Sequence, residues 1–351
     1  MKVVVYLMIF FYLFESFLFA SRVDDGSEDT GSAVIFMYHR FGEKTYPSTN
    51  IRLEQFEYQL NYLKDNYYNV WPLSKILSYM IDKKKIPPKT VAISMDDAYR
   101  SVYTKAYQRL KEKHFPFTVF VNTFPIDRKS KNYMSWDQMR EMSKNGAEFA
   151  NHTLTHPFLL KNSSESTEEW TARVKKEVTK AQERLQQELG SGTNENPKML
   201  AYPFGEYSEQ TVGLIKSLGY VGVSQTSGPV DQNTDLMAIT RFPMSESFAT
   251  EQGFLLKLNT LPLPIRSVLP TQTLIEDENP PTLHVKLRRP LKDMLCYTSN
   301  GDKIDMKWIS DTEAEVKAKS RLLPPRDHYT CTARAEEGKW YWYSHLWVFK
   351  K

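Results

Sequence analysis

Apolar and polar positions in the longer, N-terminal part of the chain follow two different periods. Continuous apolar runs of strand length are typical of buried parallel strands, and apolar residues three or four positions apart predict helices that pack one face. The runs lie at Ala33–Tyr38, Val91–Met95, Phe117–Val121, Glu148–Ala150, Lys198–Tyr202 and Gly219–Val223. Helical spacing occurs between them, for example at Leu53–Leu63 and in a long stretch that a capping-box pattern opens at Ser166 and Gly190 ends. This alternation predicts an α/β barrel.

The pattern changes near the C-terminus. Prolines punctuate residues 261–281 and the alternation of strands and helices stops there, which is typical of a domain boundary. From Thr282 onward, short runs such as Trp340–Tyr343 are rich in β-branched and aromatic residues, and a small β-sandwich fits them best. We therefore expect a barrel domain over residues 33–262 and a C-terminal β-sandwich accessory domain over residues 280–351.

The N-terminal residues predict export. Lys2 is followed by an almost uninterrupted apolar run, and small residues stand at Ala20-Ser21. This pattern predicts a cleavable signal peptide over residues 1–20, because Glu15 leaves too short an apolar span for a comfortable transmembrane helix. An uncleaved anchor is the alternative. We expect a periplasmic or extracellular protein with no stable membrane anchor after cleavage.

Composition and charge narrow the class further. Of the 351 residues, 41% are hydrophobic, which is enough for buried cores, and the net charge of +4 gives no sign of a nucleic-acid partner. The only cysteines, Cys296 and Cys331, are most simply a disulfide in an exported protein. Two free buried thiols are the alternative, and a zinc site lacks further ligands at short spacing.

Three polar clusters follow predicted strands, at the carboxyl ends where an α/β barrel places its active site. They are Asp96-Asp97, His152-Thr-Leu-Thr-His156 and Ala201-Tyr-Pro-Phe-Gly205. One carboxylate and two imidazoles four residues apart can form an open three-ligand metal site that leaves positions for water and substrate. Each cluster alone is weak, since acidic pairs are usually solvated turns and paired histidines are common on surfaces. Together they indicate metal-dependent catalysis.

These segments, over Val34–Met244, resemble the NodB-homology polysaccharide deacetylases of carbohydrate esterase family 4. The resemblance implies an irregular (β/α)7-type barrel and a hydrolase that removes acetyl groups from N-acetylhexosamine units of an acetylated polysaccharide. The residues it implies are the base Asp96, the metal ligands Asp97, His152 and His156, and the oxyanion loop Pro203, Phe204 and Gly205. One divalent ion is expected, with zinc as the default, although cobalt, nickel, iron and manganese also suit these ligands.

The residue that acts as general acid is implied by a different branch of the family. The usual Leu-x-Leu-His segment is absent between Gly205 and Pro264. The permuted branch resembling poly-β-1,6-N-acetylglucosamine deacetylases opens with a Met-Tyr-His pattern, which matches Met37–His39, so this resemblance implies His39 as the acid. A packed, hydrogen-bonded histidine is the alternative role of His39. His284, inside the predicted sandwich, is a weaker candidate for the general acid.

Two departures from the family pattern leave questions open. Ala201 stands where an arginine often orients the base, so the orientation of Asp96 is unexplained, and the expected tryptophan motif after Val223 is missing. Arg241 is a candidate replacement cation, with a structural salt bridge as the alternative.

Two other functions compete with N-deacetylation. An O-acetyl esterase acting on an acetylated glycan is one, and a catalytically silent glycan-binding envelope protein is the other. The intact Asp96 argues against the silent protein, since binding alone needs no base. A serine hydrolase is disfavoured because the chain has no Gly-x-Ser-x-Gly elbow. For the C-terminal aromatic residues Trp340–Tyr343, core packing is favoured over glycan binding.

Overall fold

A first β-sheet and the helices around it make up the N-terminal part of the fold. The computed structural model describes residues 31–190, 193, 196–276 and 278–350, so the predicted signal peptide, residues 1–20, lies outside the described residues. Among the helices of that part of the chain, none combines the length and the apolar character needed to cross a membrane.

Short parallel strands build the first sheet and its margin. The strands are β1 (Ala33–Tyr38), β2 (Arg40–Phe41), β3 (Asn50–Ile51), β4 (Asn69–Val70), β5 (Thr90–Met95), β6 (Phe117–Val121), β7 (Ala147–Asn151), β8 (Lys198–Ala201), β9 (Tyr220–Val223) and β10 (Phe242–Pro243). The main path runs β10-β1-β5-β6-β7-β8-β9, with β4 beside β5 and with β2 and β3 as a separate pair. A parallel bridge between Val223 and Ile239, just before β10, brings the two ends of the path together. The predicted α/β barrel is confirmed.

Helices connect these strands. They are α1 (Leu53–Asp65), α2 (Leu73–Ile81), α3 (Gln108–Lys113), α4 (Thr123–Asp127), α5 (Trp136–Ser143), α6 (Thr167–Leu189), α7 (Glu209–Ser217) and α8 (Glu251–Leu258), with a π-helical segment Val102–Tyr107 before α3. The capping box predicted at the start of α6 is present, because the Ser166 side chain accepts from the Glu169 N–H and the Glu169 side chain reaches back. Gly190 ends α6 with a positive φ of 51°, as the sequence indicated.

The apolar runs form strands because both of their faces are covered. Every residue of β1, β5 and β6 is buried. Successive side chains alternate across the sheet, so Phe36 joins the cluster that includes Phe56 of α1 and Phe254 of α8, whereas Ile35 joins the cluster that includes Leu77 of α2. This two-sided core fixes the carboxyl ends of the strands, where the polar clusters begin.

A second, all-β sheet follows the barrel, as predicted. Its strands are β11 (Thr260–Pro262), β12 (Ile265–Leu269), β13 (Leu274–Ile275), β14 (Thr282–Leu287), β15 (Leu295–Tyr297), β16 (Lys303–Ser310), β17 (Glu313–Lys317), β18 (Arg326–Arg334) and β19 (Trp340–Phe349). The path runs β11-β19-β18-β15-β16-β17-β14-β12, with β13 beside β19. Cys296 of β15 and Cys331 of β18 are paired neighbours and form the expected disulfide.

The second sheet begins before the predicted boundary at residue 280. Strands β11 to β13 lie in the proline-punctuated stretch that the sequence suggested as a linker, and they pair with β19 and β14. Proline is tolerated there because β11 and β12 are the terminal strands of the path, where a missing N–H breaks no central ladder. A division into a barrel domain and an accessory domain remains our proposal, with the change of sheet at Thr260.

The aromatic run at the start of β19 joins the two parts of the molecule. Trp342 packs edge-on against Phe242 of the barrel with ring centroids 5.4 Å apart, and its Nε1–H donates to the Ser227 carbonyl oxygen at 3.1 Å. Tyr341 and Tyr343, on the other face of the strand, pack against the core of the second sheet. Trp342, Tyr341 and Tyr343 thus contribute to packing, the use that the sequence favoured.

Candidate active site

The three polar clusters meet at one end of the barrel because each follows a neighbouring strand. Asp96 and Asp97 come directly after β5, His152 follows β7, and the Pro203–Gly205 turn follows β8. His39 comes directly after β1, which pairs with β5 in register. The carboxyl ends of parallel strands share one edge of a sheet, so these side chains converge.

The backbone at these motifs is held in the left-handed region, which non-glycine residues rarely adopt. The φ angles are 70° at Asp97, 70° at Thr153, 61° at His156 and 60° at Phe204. Each such residue costs on the order of 1 kcal/mol or more and persists only where the surroundings fix it. Here Thr153 is fixed by its N–H bond to Asn151 Oδ1 at 2.8 Å, and His156 by its N–H bond to Thr153 Oγ1 at 3.0 Å. Such strain concentrates at functional sites.

Asp97, His152 and His156 form a cluster with the geometry of a metal site. Asp97 Oδ1 lies 3.6 Å from His152 Nε2 and 3.5 Å from His156 Nε2. One ligand atom from each residue lies within 4.8 Å of the others. Three ligands at about 2.1 Å from a tetrahedral zinc ion are about 3.4 Å apart, so this spacing suits such an ion.

The hydrogen bonding of His152 supports the same interpretation. Its Nδ1 lies 2.9 Å from the Ala201 carbonyl oxygen, to which the Nδ1–H donates a hydrogen bond. In the neutral ring this leaves the lone pair on Nε2, which faces Asp97. It is buried and has no hydrogen-bond partner within the described residues. A buried polar atom without a partner is unfavourable unless a bound ligand interacts with it. A hydrogen bond from Nδ1–H to a carbonyl oxygen is also the arrangement that orients metal-bound histidines.

Asp96 has a different environment, because it forms a buried ion pair with Arg241. Both side chains are fully buried, and the guanidinium binds the carboxylate through two bonds, Nη1 to Oδ1 at 2.7 Å and Nη2 to Oδ2 at 2.8 Å. Arg241 is itself held by the Ser224 carbonyl oxygen at 2.9 Å and by Ser94 Oγ at 3.2 Å. This geometry accounts for the orientation of Asp96, which the sequence left unexplained at Ala201. Arg241, the candidate cation named from the sequence, is thus the side chain that pairs with Asp96.

The ion pair also fixes the charge of Asp96. Burial alone would raise the pKa of this carboxyl group, but the Arg241 guanidinium outweighs burial and holds the pKa below its ordinary value. Asp96 is therefore ionised at neutral pH and available to accept a proton.

His39 lies beside Asp96. Its Nε2 is 3.9 Å from Asp96 Oδ2, and its side chain keeps 15% of its surface exposed. Burial lowers the pKa of His39, and the Asp96 carboxylate opposes this effect. The weaker candidate, His284, lies in β14 of the second sheet, with its Nδ1 4.0 Å from Glu315 Oε1 and its side chain 53% exposed.

The Pro203–Gly205 turn brings its backbone close to a neighbouring segment. Gly205 has a φ of 72°, and a Cβ atom at this position would come within 2.6 Å of Gln225 Cβ. Only glycine fits there. Within the turn, the Gly205 N–H donates to the Tyr202 carbonyl oxygen at 2.8 Å and the Glu206 N–H donates to the Pro203 carbonyl oxygen at 3.3 Å.

Aromatic rings flank the metal-ligand cluster on two sides. The Phe204 ring meets His156 edge-on with centroids 4.6 Å apart, and Phe158 stacks on Phe204 at 4.2 Å. Near Asp97, the Tyr99 ring lies 3.5 Å under the Arg40 guanidinium. Burial and the Asp97 carboxylate raise the pKa of Tyr99.

Sequence reasoning did not identify Phe158 and Tyr99 as site residues. Each lies two residues beyond a predicted ligand, Phe158 after His156 and Tyr99 after Asp97. An aromatic residue at that spacing is a weak signal, because its direction depends on the left-handed turns described above.

Comparison with known proteins relates the barrel to one family. Residues 83–223, which include the three motifs but neither His39 nor Arg241, match the family described as polysaccharide deacetylase. The chain is 27% identical over 217 residues to a poly-β-1,6-N-acetyl-D-glucosamine N-deacetylase of Staphylococcus aureus (strain MSSA476), a match that covers 60% of this chain and 73% of that protein.

Two solved structures share the fold. The Streptococcus pyogenes deacetylase PplD, solved in complex with acetate, is 23% identical with a TM-score of 0.57, and the match covers 65% of this chain and 98% of that one. IcaB from Ammonifex degensii is 22% identical with a TM-score of 0.55, covering 64% of this chain and 96% of that one. At these identities the likeness concerns the fold alone.

Proposed function

We propose that this chain, which carries a polysaccharide deacetylase domain as its sequence predicted, hydrolytically removes acetyl groups from N-acetylhexosamine units of an extracellular or cell-envelope polysaccharide. The observation that carries the proposal is the Asp97, His152 and His156 cluster, whose ligand atoms lie within 4.8 Å of one another beside the buried, ionised Asp96. The deacetylase relatives support the reaction class, and the Staphylococcus relative supports an N-acetylglucosamine polymer.

Asp97, His152 and His156 would hold one divalent ion, with zinc as the expected metal. When bound, the ion polarises the acetamide carbonyl and lowers the pKa of a water molecule. Cobalt, nickel, iron or manganese would also suit one carboxylate and two imidazoles.

Asp96 would act as the general base. Its carboxylate accepts a proton from the attacking water, whose oxygen then bonds to the carbonyl carbon. Arg241 keeps the carboxylate ionised and points it in one direction through two hydrogen bonds. A buried base that is already oriented needs little rearrangement during the reaction.

His39 would complete the reaction as the general acid. Breaking the C–N bond releases acetate and requires a proton on the departing amine nitrogen. His39 Nε2 lies 3.9 Å from Asp96 Oδ2, and burial lowers the pKa of His39, which favours the neutral ring at neutral pH. The proton that Asp96 takes from the water would therefore pass to His39 and from His39 to the amine, without a net change of charge.

The Phe204 N–H is our candidate oxyanion donor. Pro203 has no N–H, and the N–H groups of Gly205 and Glu206 already bind carbonyl oxygens within the turn. A backbone donor held in a tight turn can stabilise the negative charge that develops on the carbonyl oxygen.

The proposal includes export. The signal-peptide pattern at residues 1–20 supports delivery to the periplasm or the outside, where such a polysaccharide occurs, without a stable anchor after cleavage.

Acetate release from defined oligomers tests the proposed reaction. Protein lacking residues 1–20 would be loaded with zinc and given β-1,6- and β-1,4-linked N-acetylglucosamine oligomers. We expect release from at least one linkage, and loss of release together with loss of the metal in His156→Ala. His284→Ala is the matched control, because it removes an exposed histidine of the second sheet.

Two results would count against the proposal. Equal release by His156→Ala and wild type would refute the metal-ligand assignment. Release from an O-acetylated xylan, but from neither N-acetylglucosamine oligomer, would refute N-deacetylation and favour an O-acetyl esterase.

A further inference from the structure

Phe158 presents an apolar ring to solvent beside the site. It is 40% exposed, and its ring stacks on Phe204 with centroids 4.2 Å apart and planes inclined by 25°. Phe204 in turn contacts His156 at 4.6 Å. The three rings form a row that leads outward from the metal-ligand cluster, and Phe158 is its outer member.

Single exposed hydrophobic residues are common on protein surfaces and need no function by themselves. Phe158 differs because the backbone around it is fixed. The Arg173 side chain of α6 donates to the carbonyl oxygens of Phe158 at 2.8 Å and Leu160 at 3.0 Å, and Trp170 Nε1–H donates to that of Leu159 at 2.8 Å. The neighbouring side chains Leu159 and Leu160 are buried. The segment is rigid while one large apolar ring remains exposed.

A rigid exposed ring is suited to binding a flat apolar surface. It loses little conformational entropy when a ligand covers it, because its backbone is already fixed. The C–H groups of a β-linked pyranose form such a surface, and aromatic rings stack on it through dispersion and burial of apolar area. Phe204, next to His156, would contact the reacting sugar, so Phe158 lies where the next sugar of a chain would pass.

We propose that Phe158 is a specificity-determining residue that stacks on the hexosamine adjacent to the one being deacetylated, and thereby makes the enzyme favour polymer over short substrates. The proposal rests on the deacetylase function proposed above. It predicts that Phe158 contributes more to the binding of long substrates than to the chemical step.

Kinetics on substrates of different length test this role. Phe158→Ala and wild type would be compared on a β-1,6-linked N-acetylglucosamine pentamer and on 4-nitrophenyl acetate, which has no neighbouring sugar. We expect the KM for the pentamer to rise roughly two- to tenfold, as for the loss of one aromatic contact. The kcat/KM for 4-nitrophenyl acetate should fall by a smaller factor than that for the pentamer, because Phe158 also packs on Phe204. Phe158→Tyr, which keeps the ring, should retain the wild-type KM.

Tyr67→Ala is the control, because Tyr67 is 87% exposed and precedes β4 at the opposite end of the barrel. A pentamer KM in Phe158→Ala equal to that of wild type would overturn the proposal, as would an equal loss of kcat on both substrates.

A binding measurement separates this proposal from the proposed function. Calorimetric titration of the pentamer into chelator-treated wild type and Phe158→Ala follows binding without turnover. Weaker binding by the variant supports the stacking role, whether or not wild type releases acetate. Absence of acetate release by wild type would refute the deacetylase function but not the stacking role. Equal binding by the two proteins, or no binding by either, overturns the stacking role.

Discussion

Arg241 and Asp96 depend on each other, because both are fully buried and their charges face one another through two hydrogen bonds. We expect Arg241→Met to lower the free energy of unfolding by about 3 to 5 kcal/mol, since it leaves a buried carboxylate without its partner. The deacetylation rate should also fall, because the base loses its orientation. Urea denaturation followed by circular dichroism, together with acetate release, measures both effects.

The matched variant is Arg241→Lys, which keeps the charge and loses the second hydrogen bond. It should retain more stability than Arg241→Met. An unfolding free energy of Arg241→Met within 1 kcal/mol of wild type, on the order of a surface substitution, would contradict the dependence of Asp96 on Arg241.

His39 gives a prediction about catalysis alone. We expect His39→Gln to lower kcat by about 10²- to 10⁴-fold, the usual contribution of a general acid. The bound metal and the unfolding free energy should stay close to wild type, because the side chain is not a member of the ligand cluster and is partly exposed. Acetate release and metal analysis by mass spectrometry provide the two measurements.

His284→Gln serves as the control for this variant, since His284 is exposed in the second sheet. A kcat for His39→Gln within threefold of wild type, on the order of 0.6 kcal/mol, would favour the packed, structural role of His39.

The sequence could predict the residues of the metal-ligand cluster, and it offered Arg241 as a candidate cation, but it could not predict the contact between Arg241 and Asp96. Asp97, His152 and His156 stand in motifs that each follow a strand, so their convergence follows from the barrel. Arg241 is 145 residues from Asp96 and reaches it because β10 pairs with β1 and closes the sheet. No local sequence pattern indicates that these two distant strands pair. The Phe158 ring was not identified from the sequence, because its direction depends on the left-handed turns at His156 and Phe204.

At the scale of elements, helices and strands were predicted most accurately where apolar runs were long and capping residues were present. Strands β1, β5 and β6 and helix α6 follow the expected residues within a position or two. Helix α2 was missed, since its N-cap residue Pro72 provides no side-chain cap and its nine residues include a short apolar stretch that also suits a strand. Strands β11 to β13 were missed because prolines and short lengths concealed them.

Strand β19 carries a buried histidine that should make stability depend on pH. Burial lowers the pKa of His345 to about 4, with a smaller contribution from nearby His328. Its Nδ1 lies 3.3 Å from the Tyr343 hydroxyl and its Nε2 lies 3.3 Å from the Gln272 carbonyl oxygen, contacts that suit the neutral ring. The unfolded chain binds a proton to this residue near pH 6.5, whereas the folded chain does so only near pH 4. The contribution of neutral His345 to stability is therefore fully present above about pH 6.5, and it is lost as the pH falls towards 4.

We expect His345 to account for about 2 kcal/mol of the unfolding free energy lost between pH 7 and pH 5. His345→Gln should reduce the slope of stability against pH without abolishing it, because burial also lowers the pKa of His328 to about 4. Urea denaturation at several pH values measures the slope. The exposed His284→Gln should keep the wild-type slope, and the same slope in His345→Gln would contradict this account.

At the scale of the whole molecule, the second sheet supports two segments of the site. Leu346 and Val348 of β19 pack against Leu160, close behind Phe158. The Thr273 hydroxyl donates to the Tyr207 carbonyl oxygen, just after the Pro203–Gly205 turn. The second sheet is therefore positioned to hold the segments that carry Phe158 and Phe204. From the sequence, only the change of strand pattern indicated this region, and its contacts with the barrel could not be predicted.

Arg326 of β18 provides the most direct link, because its Nη1 lies 3.0 Å from Oε1 of the fully buried Glu206, the residue that follows Gly205. We expect Arg326→Gln to lower the unfolding free energy by about 1 to 3 kcal/mol, the range for a hydrogen bond to a buried charged group. It should also lower kcat, with the metal content unchanged, because the turn that presents the Phe204 N–H loses a support. Arg321→Gln is the control, since Arg321 is exposed in the loop before β18. If Arg326→Gln lowered stability but left kcat and KM at the wild-type values, the second sheet would stabilise the molecule without helping to position the oxyanion loop.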